Sequence, residues 1–177
     1  KAIADFTSAI AIKPDSAEAY TNRGIVYGEM DLLELAMEDF TSAIAVNPHY
    51  ADAYTARGLA LINTGQPEQA LQDLNKAVSL KPSSVEARLN RGVCYERMGK
   101  LQNALEDYNA AIELNPSDFL AYNNRGNVFA KMDKIDKALD DQAKAISLKP
   151  DFAKAFLDRG DCYRSLGMPG PAKSDYQ

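Results

Sequence analysis

Five prolines, Pro14, Pro48, Pro82, Pro116 and Pro150, stand 34 residues apart without slippage. A fixed period of about 20 to 50 residues marks a chain in which each unit buries its apolar face against its neighbours, not around one central core. The frame divides the 177 residues into a half unit (1–16), four whole units (17–50, 51–84, 85–118 and 119–152) and a shortened fifth (153–177), a single array throughout. The sequence opens on Lys1 and both ends fall inside a unit, so it reads as a piece of a longer array, because natural arrays close with polar capping units.

Numbering each unit from 1 to 34 exposes two helices. The first carries Ala at place 3, an aromatic at place 4 (Tyr20, Tyr54, Tyr122 and Phe156) and Gly at place 8 (Gly24, Gly58, Gly92, Gly126 and Gly160). Places 3, 4, 7, 8 and 11 form one stripe at helical spacing. A mid-helix Gly costs about 1 kcal/mol relative to Ala, so its recurrence predicts close approach of two helices. The second helix carries Ala at places 20 and 27, a branched aliphatic at 28 and mostly an aromatic or Leu at 24 (Phe6, Phe40, Leu74, Tyr108 and Tyr176). Proline then ends it. Gly65, Gly99 and Gly167, with Asp31 and Asp133 in the equivalent places, mark the turn between the two helices.

Place 7 is always Arg (Arg23, Arg57, Arg91, Arg125 and Arg159) and place 23 always Asp (Asp5, Asp39, Asp73, Asp107, Asp141 and Asp175). A guanidinium on a packing stripe needs a carboxylate, and Arg suits a bidentate one. The expected structural ion pairs therefore join Arg23, Arg57, Arg91, Arg125 and Arg159 to Asp39, Asp73, Asp107, Asp141 and Asp175, within a unit or across to the next. The alternative use of the row is to bind phosphate or carboxylate.

Small residues at 8, 20 and 27, aromatics at 4, 11 and 24, and proline at 32 are landmarks of the tetratricopeptide repeat, and the chain resembles that family over its whole length. The resemblance implies an all-α fold, a right-handed α-solenoid (superhelix) of antiparallel helix hairpins, its first helices lining a concave groove and its second helices forming the convex back. Departures from the pattern are the constant Arg at place 7, where the family commonly has Leu, Arg88 at place 4 and Gln142 at place 24. Pro169 and Pro171, around the start of the last helix, are expected to make the final hairpin irregular.

Chemistry-bearing clusters are missing from the sequence. His49 is the lone histidine, no C-x-x-C occurs, and the glycines recur singly, so neither a metal site, a nucleophile and base, nor a phosphate cradle is expected, and no cofactor. Cys94 and Cys162 share a place in units two apart, out of disulfide reach, and free thiols fit a reducing, cytoplasmic compartment. A net charge of −5 argues against nucleic-acid binding, and no apolar run reaches the length of a membrane span. The charge is uneven: unit 17–50 holds six acids and one base, whereas 119–152 holds five acids and six bases. Such a gradient either orients a ligand or a neighbouring copy or is scatter over a solvated surface.

The other face of the first helix, places 2, 5, 6, 9, 12 and 13, is the one that the resemblance assigns to the groove. Asn22, Asn90 and Asn124 stand at place 6, and Asn127 at place 9; side-chain amides both donate and accept and can hold an extended peptide backbone. This is similar to the asparagine ladder in the repeat arm of O-linked N-acetylglucosamine transferases; a solvated polar column is the other reading. Ile25, Leu59 and Val93 at place 9, with Ile62 and Leu89, give the groove an apolar first half. The clamp that binds acidic chaperone tails in part of the family is not matched: among Leu89, Val93, Asn124, Lys154 and Asp158, only Asn124 and Lys154 fit. The expected role is a non-catalytic scaffold for a protein or peptide ligand. The alternatives are the targeting arm of a larger enzyme and a segment that self-associates head to tail.

Overall fold

A computed structural model describes residues 1–176. Among them are eleven helices and no strand: α1 (Ala2–Ile12), α2 (Ala17–Glu29), α3 (Leu33–Val46), α4 (Ala51–Asn63), α5 (Pro67–Leu80), α6 (Val85–Arg97), α7 (Leu101–Leu114), α8 (Phe119–Lys131), α9 (Ile135–Leu148), α10 (Ala153–Ser165) and α11 (Pro169–Asp175). First helices occupy places 1–13 and complete second helices end at place 30, so the helix boundaries keep the 34-residue period.

Local chemistry explains the boundaries. The ring of each place-32 proline crowds the residue before it out of the helical region. Lys13, Asn47, Lys81, Asn115 and Lys149 accordingly turn extended, with φ between −132° and −141°. Ser16 and Asp118 then cap α2 and α8 by accepting the amides of Ala19 and Ala121. Between the helices of each pair, place 15 is left-handed in all five units, with φ of 59° to 75° at Asp31, Gly65, Gly99, Asp133 and Gly167. The next amide reaches back five residues to the place-11 carbonyl, as in Leu32 to Tyr27 at 2.9 Å and Gln66 to Leu61 at 2.8 Å, which closes the first helix.

The chain divides into two compact units, Lys1–Cys94 and the segment from Tyr95 onward. In the first, α1 packs on α2, α2 on α3, α3 on α4, α4 on α5, and the first helices α2 and α4 touch. In the second, α7 packs on α8, α8 on α9, α9 on α10, α10 on α11, and α8 touches α10. Helices meet their chain neighbours and the next first helix, as in a solenoid built from helix pairs. Alanines make this spacing possible: Ala36, Ala43, Ala53, Ala70, Ala77 and Ala87 are fully buried. Ala17, Ala43 and Ala53 form one such core, sealed by Tyr20, Ile44 and Tyr50.

The place-8 glycines lie where a second-helix side chain crosses over them. A Cβ on Gly24 would stand 2.7 Å from Phe40 Cε1, one on Gly58 2.7 Å from Leu74 Cγ, and one on Gly126 3.0 Å from Gln142 Nε2. Place 24 is thus a plug seated on a glycine, and Gln142 fills the position of an aromatic. Arg88 also substitutes for an aromatic by function: its Nε donates to Pro82 O at 3.0 Å, as Tyr54 Oη donates to Pro48 O at 3.3 Å.

The last hairpin is regular, contrary to the expectation from its prolines. Pro169 and Pro171 fall in the first turn of α11, where amides have no intrahelical partner to lose. Tyr176 seats over Gly160 as its counterparts do. No helix among the described residues is long and apolar enough to cross a membrane.

Candidate functional site

The constant spacing of Arg and Asp along the chain resolves into one geometry. Arg23 Nε and Nη2 donate to Asp39 Oδ2 and Oδ1 at 2.8 and 2.7 Å, and Arg57–Asp73, Arg125–Asp141 and Arg159–Asp175 repeat the fork. Each pair joins the first and second helices of one hairpin. The third donor, Nη1, reaches the second helix of the preceding hairpin: Thr7 for Arg23, Thr41 for Arg57, Asn75 for Arg91 and Asn109 for Arg125. Place 25, unremarked in the sequence, supplies these acceptors and could have been found from its Thr and Asn column. Aromatic rings hold the guanidinium flat, Tyr122 and Phe129 lying 5.5 and 5.8 Å from Arg125. The hydrogen bonds they donate to Asp39, Asp73, Asp141 and Asp175 hold these four guanidinium groups above their ordinary pKa. In these four repeats the Arg donors are turned to packing, not to an external phosphate.

In the first unit the inner face opens into a pocket of about 340 Å³. Ile25 and Gly28 on α2 and Ala56 and Leu59 on α4 form its walls, Leu33, Ala36 and Phe40 on α3 its floor, and Glu29, Asn63 and Glu86 its rim. Of the residues expected in a groove, Ile25 and Leu59 are exposed and line this pocket. Asn22, Leu89, Asn90 and Val93 are half-buried on the same unit, and Asn90 Nδ2 is buried without an acceptor among the described residues. Ile62 is a correction. It is 1 % exposed and belongs to the core, so it is not available to a ligand. At the same place in the preceding repeat stands Gly28, whose added Cβ would meet nothing within 4 Å.

In the second unit the inner face is occupied by its own polar groups. Asp158 Oδ2 accepts from Asn123 Nδ2 (3.0 Å), Asn127 Nδ2 (2.8 Å) and Lys154 Nζ (2.7 Å). Gln142 Nε2 donates to Asn127 Oδ1 at 2.8 Å. Asn127, expected to hold a peptide backbone, therefore has both ends of its amide engaged within the protein, a second correction. Asn124 is half-buried beside this network. Nearby, Lys131 Nζ donates to Glu96 Oε1 at 2.7 Å, and Tyr108 Oη donates to Glu96 Oε2 at 3.1 Å. Burial beside that carboxylate pushes the Tyr108 hydroxyl far above its ordinary pKa.

The remaining reactive groups have structural settings. Cys94 and Cys162 are buried and not joined in a disulfide; the Cys94 thiol donates to Pro67 O, and burial, with Asp158 and Asp161 nearby, pushes the Cys162 thiol up and away from the nucleophilic thiolate. His49 lies exposed in a turn. Among the described residues no group of three or more His, Cys, Asp or Glu side chains is placed to hold a metal ion.

Comparison with known proteins agrees with this architecture. A tetratricopeptide repeat model matches residues 17–50 and 85–118, a TPR repeat model 1–31 and 60–99, and a further tetratricopeptide repeat model 40–72 and 107–140. No curated protein matches the chain in sequence. Among solved structures, MamA is 26% identical, over 86% of this chain and 90% of its own, with a TM-score of 0.75. YrrB, described as a TPR protein with an unusual peptide-binding site, is 24% identical over 96% of this chain and 88% of its own, with a TM-score of 0.73. A chain of the APC/C hetero-tetramer Cut9–Hcn1 shares the fold at a TM-score of 0.91, being 20% identical over 99% of this chain and 35% of its own. With its period, its glycine and alanine columns, its helix pairs and these matches in agreement, the chain is an all-α solenoid that belongs to the tetratricopeptide repeat family.

Proposed function

We propose that this chain is a non-catalytic interaction scaffold that holds a peptide segment of a protein partner on the inner helix face of residues 1–94. The observation that carries the reading is the open apolar pocket between α2 and α4, walled by the exposed Ile25 and Leu59. Apolar side chains presented together around a concavity gain free energy by being covered, and a peptide side chain is the right size to cover them. Asn22 and Asn90 lie half-buried on the same unit, and in this reading their amides would fix the register of the bound backbone. The fold points the same way, because YrrB, which shares it, is described as having a peptide-binding site. Buried thiols outside any disulfide fit a reducing compartment.

A displayed library of random peptides, panned against the chain, tests this. Selected peptides should lose at least about tenfold in affinity for the Ile25→Asp, Leu59→Asp variant, since two apolar contacts are replaced by charge. Circular dichroism must show the variant folded. Selected peptides that bind the folded variant unchanged would move the site away from this face.

A further inference from the structure

The chemistry of the pocket in residues 1–94 specifies its occupant more narrowly than "a peptide". Its interior is apolar and its rim is acidic. Glu29 and Glu86 are both exposed at that rim, and neither has a basic partner among the described residues. Asp52, at the start of α4, pairs with Lys81 at 3.3 Å. The repeat that supplies the α2 wall, 17–50, carries six acids against Arg23 alone, and Arg23 is committed to Asp39. Within that repeat no cation is left to offset its acids.

The space itself has an identifiable origin. At place 12, where Ile62 fills the core of the next repeat, the 17–50 repeat has Gly28, and a Cβ built there meets no atom within 4 Å. The missing side chain adds its space to the pocket of about 340 Å³ that Phe40 and Ala36 also line. That volume lies at the lower end of small-ligand pockets and accommodates one large apolar side chain.

We infer that the pocket takes a single bulky apolar side chain from a partner segment whose flanking residues are lysine or arginine, the flanks meeting Glu29 and Glu86. This rests on the scaffold reading and adds the partner's chemical class. The apolar side chain supplies affinity by desolvation, and the basic flanks supply selection, since a like-charged acidic segment is repelled as it approaches.

Fluorescence anisotropy with short synthetic peptides tests the assignment. The reference probe carries one central Phe flanked by lysines. Replacing Phe by Ala, or the lysines by glutamates, is expected to weaken binding by about tenfold or more. Gly28→Phe, which fills the cavity from within, and Glu29→Lys with Glu86→Lys, which reverses the rim, should each do the same to the reference probe. The rim positions are exposed, so that variant reads out even if Gly28→Phe perturbs folding. Equal binding of lysine-flanked and glutamate-flanked probes, or unchanged binding to both variants, overturns the inference. If library-selected peptides of other composition still require Ile25 and Leu59 while the lysine-flanked probe does not bind, this inference fails and the scaffold reading stands. If neither kind of peptide needs Ile25 and Leu59, both fail.

Discussion

Arg57 grips Asp73 with two parallel hydrogen bonds, Nε to Oδ2 at 2.7 Å and Nη2 to Oδ1 at 2.8 Å, while its Nη1 reaches back 3.3 Å to Thr41. The carboxylate is largely withdrawn from water, Asp73 being 7 % exposed. Arg57→Leu leaves that charge stranded and is expected to cost about 3 kcal/mol, whereas Arg57→Leu with Asp73→Leu recovers most of it. Urea denaturation of both single variants and the double closes the cycle. Additive losses would show that the two side chains do not depend on each other.

Two glycines of the first unit should respond with opposite signs to the same change. Gly58→Ala drives a methyl group to within 2.7 Å of Leu74 Cγ and should destabilise by about 1 to 3 kcal/mol. Gly28→Ala meets nothing within 4 Å and should stabilise by about 1 kcal/mol through helix propensity alone. Thermal melts of the pair decide the matter; shifts of the same sign would contradict the packing described for place 8.

Tyr108 predicts an alkaline limit. Its folded-state pKa is raised, chiefly by burial and then by Glu96, so the stability it confers is complete below the unfolded value near 10 and is lost as pH climbs above it. Absorbance at 295 nm should show one of the nine tyrosines withheld from titration until the chain unfolds. In Tyr108→Phe that delayed step should vanish. A native titration identical to that of the parent chain would refute the assignment.

The frame of the molecule was legible because each packing contact recurs at one place per repeat. Pro48, Gly58 and Ala70 have the same job in every unit, and repetition within one chain exposes it. The inner face was harder to read because its neighbours are supplied by different repeats. Ile62 and Gly28 occupy the same place, yet one is sealed in the core and the other borders open space. Asn127 was visible as a polar side chain on the right face, but its partners, Asp158 and Gln142, stand 31 and 15 residues away in other columns. Periodicity names the face of a helix; it does not say what has already been seated against it. Place 25 escaped notice for a related reason: Thr41 and Asn75 share an acceptor oxygen, not a residue type.

The position of Arg23, Arg57, Arg91 and Arg125, each 16 residues after a Thr or Asn acceptor and 16 before an Asp, has a genetic consequence. Excising one whole 34-residue period, or duplicating one, rejoins the gene so that the arginine after the new junction still finds an acceptor behind it. Removing 51–84 brings Thr41 behind Arg91 in place of Asn75, and a folded deletion product is the expected result. The exception is Arg159, which has Ala143 at that position and so lacks the rearward acceptor. Unequal crossing-over can therefore lengthen or shorten this array while preserving its bonds at most junctions, and each such event moves the inner-face side chains, with whatever they recognise, as one inherited block.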